Sequence, residues 1–262
     1  MRILPVLALL GTGAATQPTQ TAQSLPAQQA RPPIPYVVGE RATYDVHYSM
    51  WFAKVGTGTM EVVSVDTVRG RDAYKFMLTV NGGFMSYKIR DTLISWVDTA
   101  DFKSLRFVRD QEEGGKVRHR LYEIFPDRGV YTENGKAEKP TSADPLDDVS
   151  LLYFVRSQTL NVGENHTYER YFRPDRNPLR LLVRRRETVD VPAGKFKTIV
   201  VQPIIKAGGS GILSEKDAAE VWIADDSTRK VVQLKIRLNF GAITLKLKNY
   251  RATPAVPPQP GK

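Results

Sequence analysis

The chain has 262 residues, 41% hydrophobic and 25% charged, enough for one globular domain or two small ones with a real core. It contains no cysteine, which excludes disulfides, thiolate metal sites and cysteine nucleophiles. The formal charge is +10, a balance that suits nucleic acid, an anionic membrane surface or plain solubility.

The first residues choose among these. "MRILPVLALLGTGAATQ" carries Arg2, a short apolar stretch from Ile3 to Leu10, and then small residues ending in Gly13-Ala14-Ala15. This is the pattern of a secretory signal peptide over residues 1–15, and its apolar part is too short to span a bilayer. Export argues against a nucleic-acid role and for an envelope surface, periplasmic or extracellular. No later run is long and apolar enough for a membrane helix. Residues 16–35, rich in Gln, Ala, Thr and Pro, read as a disordered linker, and the Pro-rich residues 252–262 as a disordered tail. The folded part is expected over 36–251.

Within it, apolar residues alternate with polar ones, the period of a half-buried strand. Tyr44, Val46, Tyr48, Met50 and Phe52 alternate with Asp45, His47, Ser49 and Trp51. Further strands are predicted over 58–65, 74–80, 87–97, 104–110 and 117–125, then over 164–172, 179–189, 196–205, 219–223, 231–238 and 243–250. Gly- and Asn-rich turns separate them, as at Asn81-Gly82-Gly83, Asn134-Gly135 and Pro192-Ala193-Gly194. The fold class is therefore mainly β. About a dozen strands are too many for one open sheet, so an antiparallel curved sheet, a partial barrel or two packed layers is expected, in two similar-sized halves.

Between the halves lies "SADPLDDVSLLYFVRSQTL", which reads as one buried central helix over about 145–158. Asp144 is placed as N-cap, Pro145 at the first helical position, and Asp147 and Asp148 in the first turn. The carboxylates need no catalytic or metal role on this reading. The helix is apolar over most of its circumference, and Leu151, Phe154 and Val155 form a second stripe that needs burial beyond one sheet face.

Other constellations carry less. The segment 169–187 holds seven arginines; Arg180, Arg184 and Arg186 are candidates for anionic headgroups, or else belong to a solvated hairpin. Trp51 is a candidate exposed contact or a structural tryptophan. Gly56-x-Gly58 precedes no helix and is no phosphate loop. Ser210 sits on no strand-to-helix elbow. Asp45/His47 and Glu164/His166 each share a strand face and could orient an imidazole. No catalytic, metal or cofactor motif emerges, and oligomeric state is not readable.

The folded region resembles a bacterial family of exported β-rich proteins, domain-of-unknown-function family 3108. The features that carry the likeness are the Gly39-Glu40 opening of "VGERATYDVHYSMWFAKVGTGTMEV", the segment Asp148-x-Ser150-x-x-Tyr153-x-x-Arg156, the hairpin "VPAGKFKTIVV" with Gly194, Phe196 and Thr198, and closing strands with Trp222, Asp225 or Asp226, and Gly241. The resemblance implies an exported envelope protein without an established activity. A curved sheet cradling a helix is also similar to periplasmic lipoprotein-carrier folds, which bind acyl chains in the concavity. Three functions stand open: a non-enzymatic binder of an apolar or lipid-like ligand; an envelope scaffold with a solid core; and a hydrolase using Asp147 or Asp148.

Overall fold

The computed structural model describes residues 34–49, 53–84, 87–206, 219–237 and 241–252. Among these the chain forms β1 (Arg41–Tyr48), β2 (Ala53–Val68), β3 (Arg71–Phe84), β4 (Tyr87–Asp98), β5 (Ser104–Glu113), β6 (Lys116–Phe125), β7 (Val130–Glu133) and β8 (Lys139–Pro140). The helix α1 (Asp148–Arg156) follows. Then come β9 (Asn165–Tyr168), β10 (Leu179–Val191), β11 (Gly194–Ile204), β12 (Ala219–Ala224), β13 (Val231–Arg237) and β14 (Ala242–Arg251). Trp51 and Ser210, with their neighbours 50–52 and 207–218, lie outside the described residues.

All fourteen strands belong to one antiparallel sheet, ordered β8-β7-β6-β5-β4-β3-β2-β1-β14-β13-β12-β11-β10-β9. The chain starts mid-sheet at β1 and walks outward to the β8 edge. It then crosses through α1 to the opposite edge, β9, and walks back until β14 pairs with β1. A flat sheet of this width would hold its edges ~60 Å apart, at ~4.8 Å per strand. Here residues just past each edge touch. Thr141 Oγ1 donates to the Phe172 carbonyl at 2.6 Å, and Ser142 Oγ to the Tyr171 carbonyl at 2.7 Å. The Phe172 ring stands 5.3 Å from Tyr131 of β7 and 5.1 Å from Tyr122 of β6. The sheet therefore curls most of the way round. No ladder joins β8 to β9, so the barrel is not closed. A seam of loop and side-chain bonds stands in its place.

Alternation explains which face turns inward. Leu93, Ser95 and Val97 of β4, and Phe107 and Arg109 of β5, are buried, while the residues between them are part-exposed. One apolar cluster takes in strands from both halves and all the apolar residues of α1.

Two glycines set a close approach within this wall. Gly56 of β2 lies opposite Gly82 of β3. A Cβ on Gly82 would stand 2.8 Å from the Gly56 Cα and overlap the Val55 carbonyl oxygen. Gly82→Ala should therefore force the two strands apart and cost on the order of 1–3 kcal/mol. Urea unfolding measures this, and a variant as stable as the parent would show that the strands part freely.

Candidate functional site

Two of the features that carry the family likeness meet at α1: the Asp148-x-Ser150-x-x-Tyr153-x-x-Arg156 segment is the helix itself, and Glu40 holds its C-terminal end. The helix begins at Asp148, and its cap is Asp147, not Asp144 as expected. Asp147 Oδ1 accepts from the Val149 and Ser150 N–H groups, both at 2.9 Å. Ser150 Oγ returns a bond to the Asp147 N–H at 2.7 Å, which completes a capping box. Oδ2 accepts from Ser95 Oγ at 2.5 Å and Ser104 Oγ at 2.7 Å. Asp147, Ser95, Ser104 and Ser150 are all fully buried. Burial pushes the Asp147 carboxyl up to about 6, against the pull of the hydroxyl and amide bonds.

The cap moved by three residues because tertiary partners chose between two local solutions. Ser104 reaches the segment twice, by its side chain to Asp147 and by its N–H to the Pro145 carbonyl at 2.7 Å. Pro145 thus stays outside the helix. Asp144 is half exposed and pairs with Lys103 at 3.0 Å.

Asp148 faces the seam. Its Oδ1 accepts from Tyr171 Oη at 2.8 Å, and Tyr171 Oη accepts from Arg176 Nη1 at 3.0 Å. Arg109 Nη1 stands 3.5 Å from Asp148 Oδ2. All four side chains are buried. Burial, and then the neighbouring Asp148 charge, hold the Tyr171 hydroxyl well above its usual range.

At the other end, Arg156 forms a bidentate pair with Glu40, at 2.6 and 3.0 Å. It also donates to the carbonyls of Pro35, Thr228 and Arg229. Tyr250 Oη donates to Glu40 at 3.1 Å. The Arg156 guanidinium lies 5.4 and 5.3 Å from the Tyr36 and Tyr153 ring centroids, a cation–π contact with each. Tyr153 stacks on Phe76 of β3 with centroids 3.9 Å apart. Burial pulls Arg156 down, but Glu40 outweighs it and holds the guanidinium above its usual pKa.

The apolar stripe is buried with the rest. Every residue of α1 is buried, including Leu151, Phe154 and Val155. Phe154 meets protein on several sides: Tyr168 at 5.2 Å, Phe102 at 6.3 Å, and the Arg170 guanidinium at 4.8 Å. The arginine candidates lie elsewhere. In β10, Leu181 and Val183 turn inward while Arg184 and Arg186 are exposed. Arg184 donates to Gln202 Oε1, and Arg186 pairs with Asp225 at 3.1 Å. Arg180 lines an open surface pocket of about 390 Å³ with Asn177, Pro178, Ile204 and Lys206. Arg184 lies on the outer face beside Gln202, while Arg186, past the register shift between Val183 and Arg185, lies opposite the core residue Ile199 at an exposed part of the ladder.

As chemistry, the helix start offers acids without a base. Asp147 is committed to a cap and two serines, Asp148 to Tyr171 and Arg109, and both are sealed from solvent. The histidines lie apart: His166 bonds Glu164 at 3.0 Å, His119 bonds Asp110, and His47 lies on β1. Asp45 is held by Lys54 at 2.8 Å. Among the described residues no group of three or more acidic or histidine side chains could hold a metal. Sequence reading missed Ser95, Ser104, Arg109, Tyr171 and Arg176. Ser95 and Arg109 carried a signal, since each is a polar residue at an inward position of an alternating strand, whereas Ser104 is turned inward by the register shift against Trp96 and Val97.

The family model for "Protein of unknown function (DUF3108)" matches residues 43–248. Among solved structures, the chain is similar to a β-barrel-like protein of domain of unknown function DUF1849 from Brucella abortus. That likeness has a TM-score of 0.55 and 10% identity, covering 83% of this chain and 99% of that one. A protein from Bacteroides fragilis described as exported, with a YmcC-like fold, aligns with a TM-score of 0.32 and 14% identity, over 83% and 98% of the two chains. No curated protein matches. No helix among the described residues is long and apolar enough to cross a membrane. With its family model spanning the sheet from β1 to β14, the chain belongs to the DUF3108 family of unknown function.

Proposed function

We propose that the protein is an exported cell-envelope protein that acts without catalysis, as a rigid scaffold whose interior is filled by its own helix and whose partners meet its outer surface. The observation that carries this reading is the burial of all nine residues of α1, secured at both ends by buried polar clamps. In a lipid carrier the concave side of the sheet holds an acyl chain; in this chain α1 lies there. The acids that a hydrolase would use serve the clamps instead. The short apolar stretch before Gly13-Ala14-Ala15 supports export.

Native mass spectrometry of protein purified without detergent tests the reading, together with titration of a fluorescent fatty-acid probe. The expected mass is that of the polypeptide alone, with no saturable probe uptake. A co-purifying acyl species at a fixed ratio, or saturable uptake, would overturn the scaffold in favour of a lipid-binding interior at Leu151, Phe154 and Val155.

A further inference from the structure

The outer face of the four central strands is strongly basic. On β14, Leu245 and Leu247 are buried, so Lys246 and Lys248 point outward, and Arg251 is exposed at the strand end. On β13, Leu234 is buried and Lys235 and Arg237 alternate with it. Arg41 and Lys54 extend the face across β1 and β2. Two carboxylates sit among these seven cations. Asp45 holds Lys54 at 2.8 Å and Lys248 at 3.8 Å, and Glu61 holds Arg41 at 3.3 Å. Lys235, Arg237, Lys246 and Arg251 make no ion pair among the described residues.

One position on this face is costly for the fold by itself. Arg41 and Arg251 lie directly opposite each other in the β1–β14 ladder. Like charges at paired positions destabilise a sheet. Beside them the register shifts between Thr43 and Tyr44, and an open pocket of about 200 Å³ forms, lined by Arg41, Thr43, Asn249 and Arg251. Two guanidiniums, a hydroxyl and an amide are a donor set for a phosphate group.

We propose that the outer face of β2, β1, β14 and β13 docks onto a bilayer surface of anionic phospholipid, with the Arg41–Arg251 pocket receiving a phosphate headgroup. The neighbouring outward residues Thr57, Thr59, Thr244 and Gln233 are polar, so contact is electrostatic and without insertion. His47 also lies on this face, opposite Lys54 and Thr244. Lysines and arginines spread over four strands offer an extended positive surface to an anionic bilayer, where each cation adds about 1 kcal/mol and salt screens the sum. This names the partner of the scaffold and rests on that reading only for the claim that partners meet the outer surface. Vesicle binding and acyl-probe uptake are separate measurements, so the two can fail independently.

The test is co-sedimentation of the full chain with phosphatidylcholine vesicles, with and without about 30% phosphatidylglycerol, at about 0.05 and 0.5 M salt. The expected result is binding that needs phosphatidylglycerol and is lost at the higher salt. Lys235→Ser with Lys246→Ser should weaken it about 30-fold, from two cations at about 1 kcal/mol each. Arg41→Gln with Arg251→Gln should weaken it to a similar degree. These side chains are outside the core, and circular dichroism confirms that each variant is folded. Arg90→Ser with Arg118→Ser removes the same charge from exposed positions on β4 and β6 and should leave binding within about threefold, since these cations lie outside the face. An equal loss from that control pair would reduce the effect to net charge and overturn the proposal. So would equal binding to pure phosphatidylcholine. Binding of inorganic phosphate or a DNA duplex without binding to anionic vesicles would overturn the membrane partner in favour of a free anion or a nucleic acid.

Discussion

Arg156→Met, with Glu40 left in place, should destabilise the protein by about 3–5 kcal/mol, the cost of stranding a buried charge. Glu40 is 3% exposed, and without Arg156 its carboxylate keeps only the Tyr250 hydroxyl among the bonds described above. The substitution also removes donors from the Pro35, Thr228 and Arg229 carbonyls. Glu40→Gln should cost less, because its amide oxygen still accepts from Arg156. In the double variant Glu40→Gln with Arg156→Met no charge is stranded, so the combined loss should fall short of the sum of the single losses by 1 kcal/mol or more. It should not return to the parent value, because the three carbonyls remain without their donor. Urea unfolding of the four proteins measures the cycle. Strict additivity would show that the pair is not a coupled unit and that the C-terminal end of α1 is held by packing alone.

The clamps mark the boundary of what local sequence could show. The strand expected over 87–97 is β4, Tyr87–Asp98, where Ile89, Thr92, Leu93, Ile94, Trp96 and Val97 make a dense run of strand formers. β2 was expected over 58–65 but runs over Ala53–Val68, since its first half is built of Gly and Thr, which carry no apolar rhythm. β7 and β8, four and two residues long, are too short to show a period. The predicted strand over 164–172 ends at Tyr168. Beyond it the chain turns away, so that Leu146 bonds Arg170 and Phe172 across the seam. That partner is more than twenty residues distant, and no local pattern announces it. The helix was legible from its apolar run, but its start was not. Asp144-Pro145 and Asp147-x-x-Ser150 are both good caps, and Ser95 and Ser104, 52 and 43 residues away, decide between them. The arginine-rich segment proved to be divided: Arg176 is buried against Tyr171, Arg170 lies over Phe154, and the exposed arginines of β10 pair with β11, with β12 and with the β12–β13 loop. The basic surface across β1, β2, β13 and β14 escaped notice because its cations come from opposite ends of the sequence. Only the β1–β14 pairing joins them.

The N-terminal clamp predicts a pH dependence that the other does not. Asp147→Ala should cost roughly 3–7 kcal/mol: about 1 for the cap, and about 1–3 for each buried serine hydroxyl left without its acceptor. Asp147→Asn should cost far less, because an amide oxygen can still accept from Val149 and Ser150. The difference between aspartate and asparagine should change with pH. Burial raises the Asp147 carboxyl from the ordinary 3.8 to about 6, so the folded state favours the neutral form. Stability from this group is fully present below about pH 4 and is lost as pH rises through about 6, by about 3 kcal/mol in total. The asparagine variant has no carboxyl to ionise at this position. It should therefore gain about 3 kcal/mol on the parent between pH 4 and pH 7. Urea unfolding of both proteins across that range measures the gap, and other titrating groups cancel in the difference. A gap that stays flat would mean that Ser95, Ser104 and the two helix N–H groups fully replace water around the charge. In that case Asp147 is an ordinary ionised cap, and the helix start contributes nothing to the acid–base behaviour of the fold.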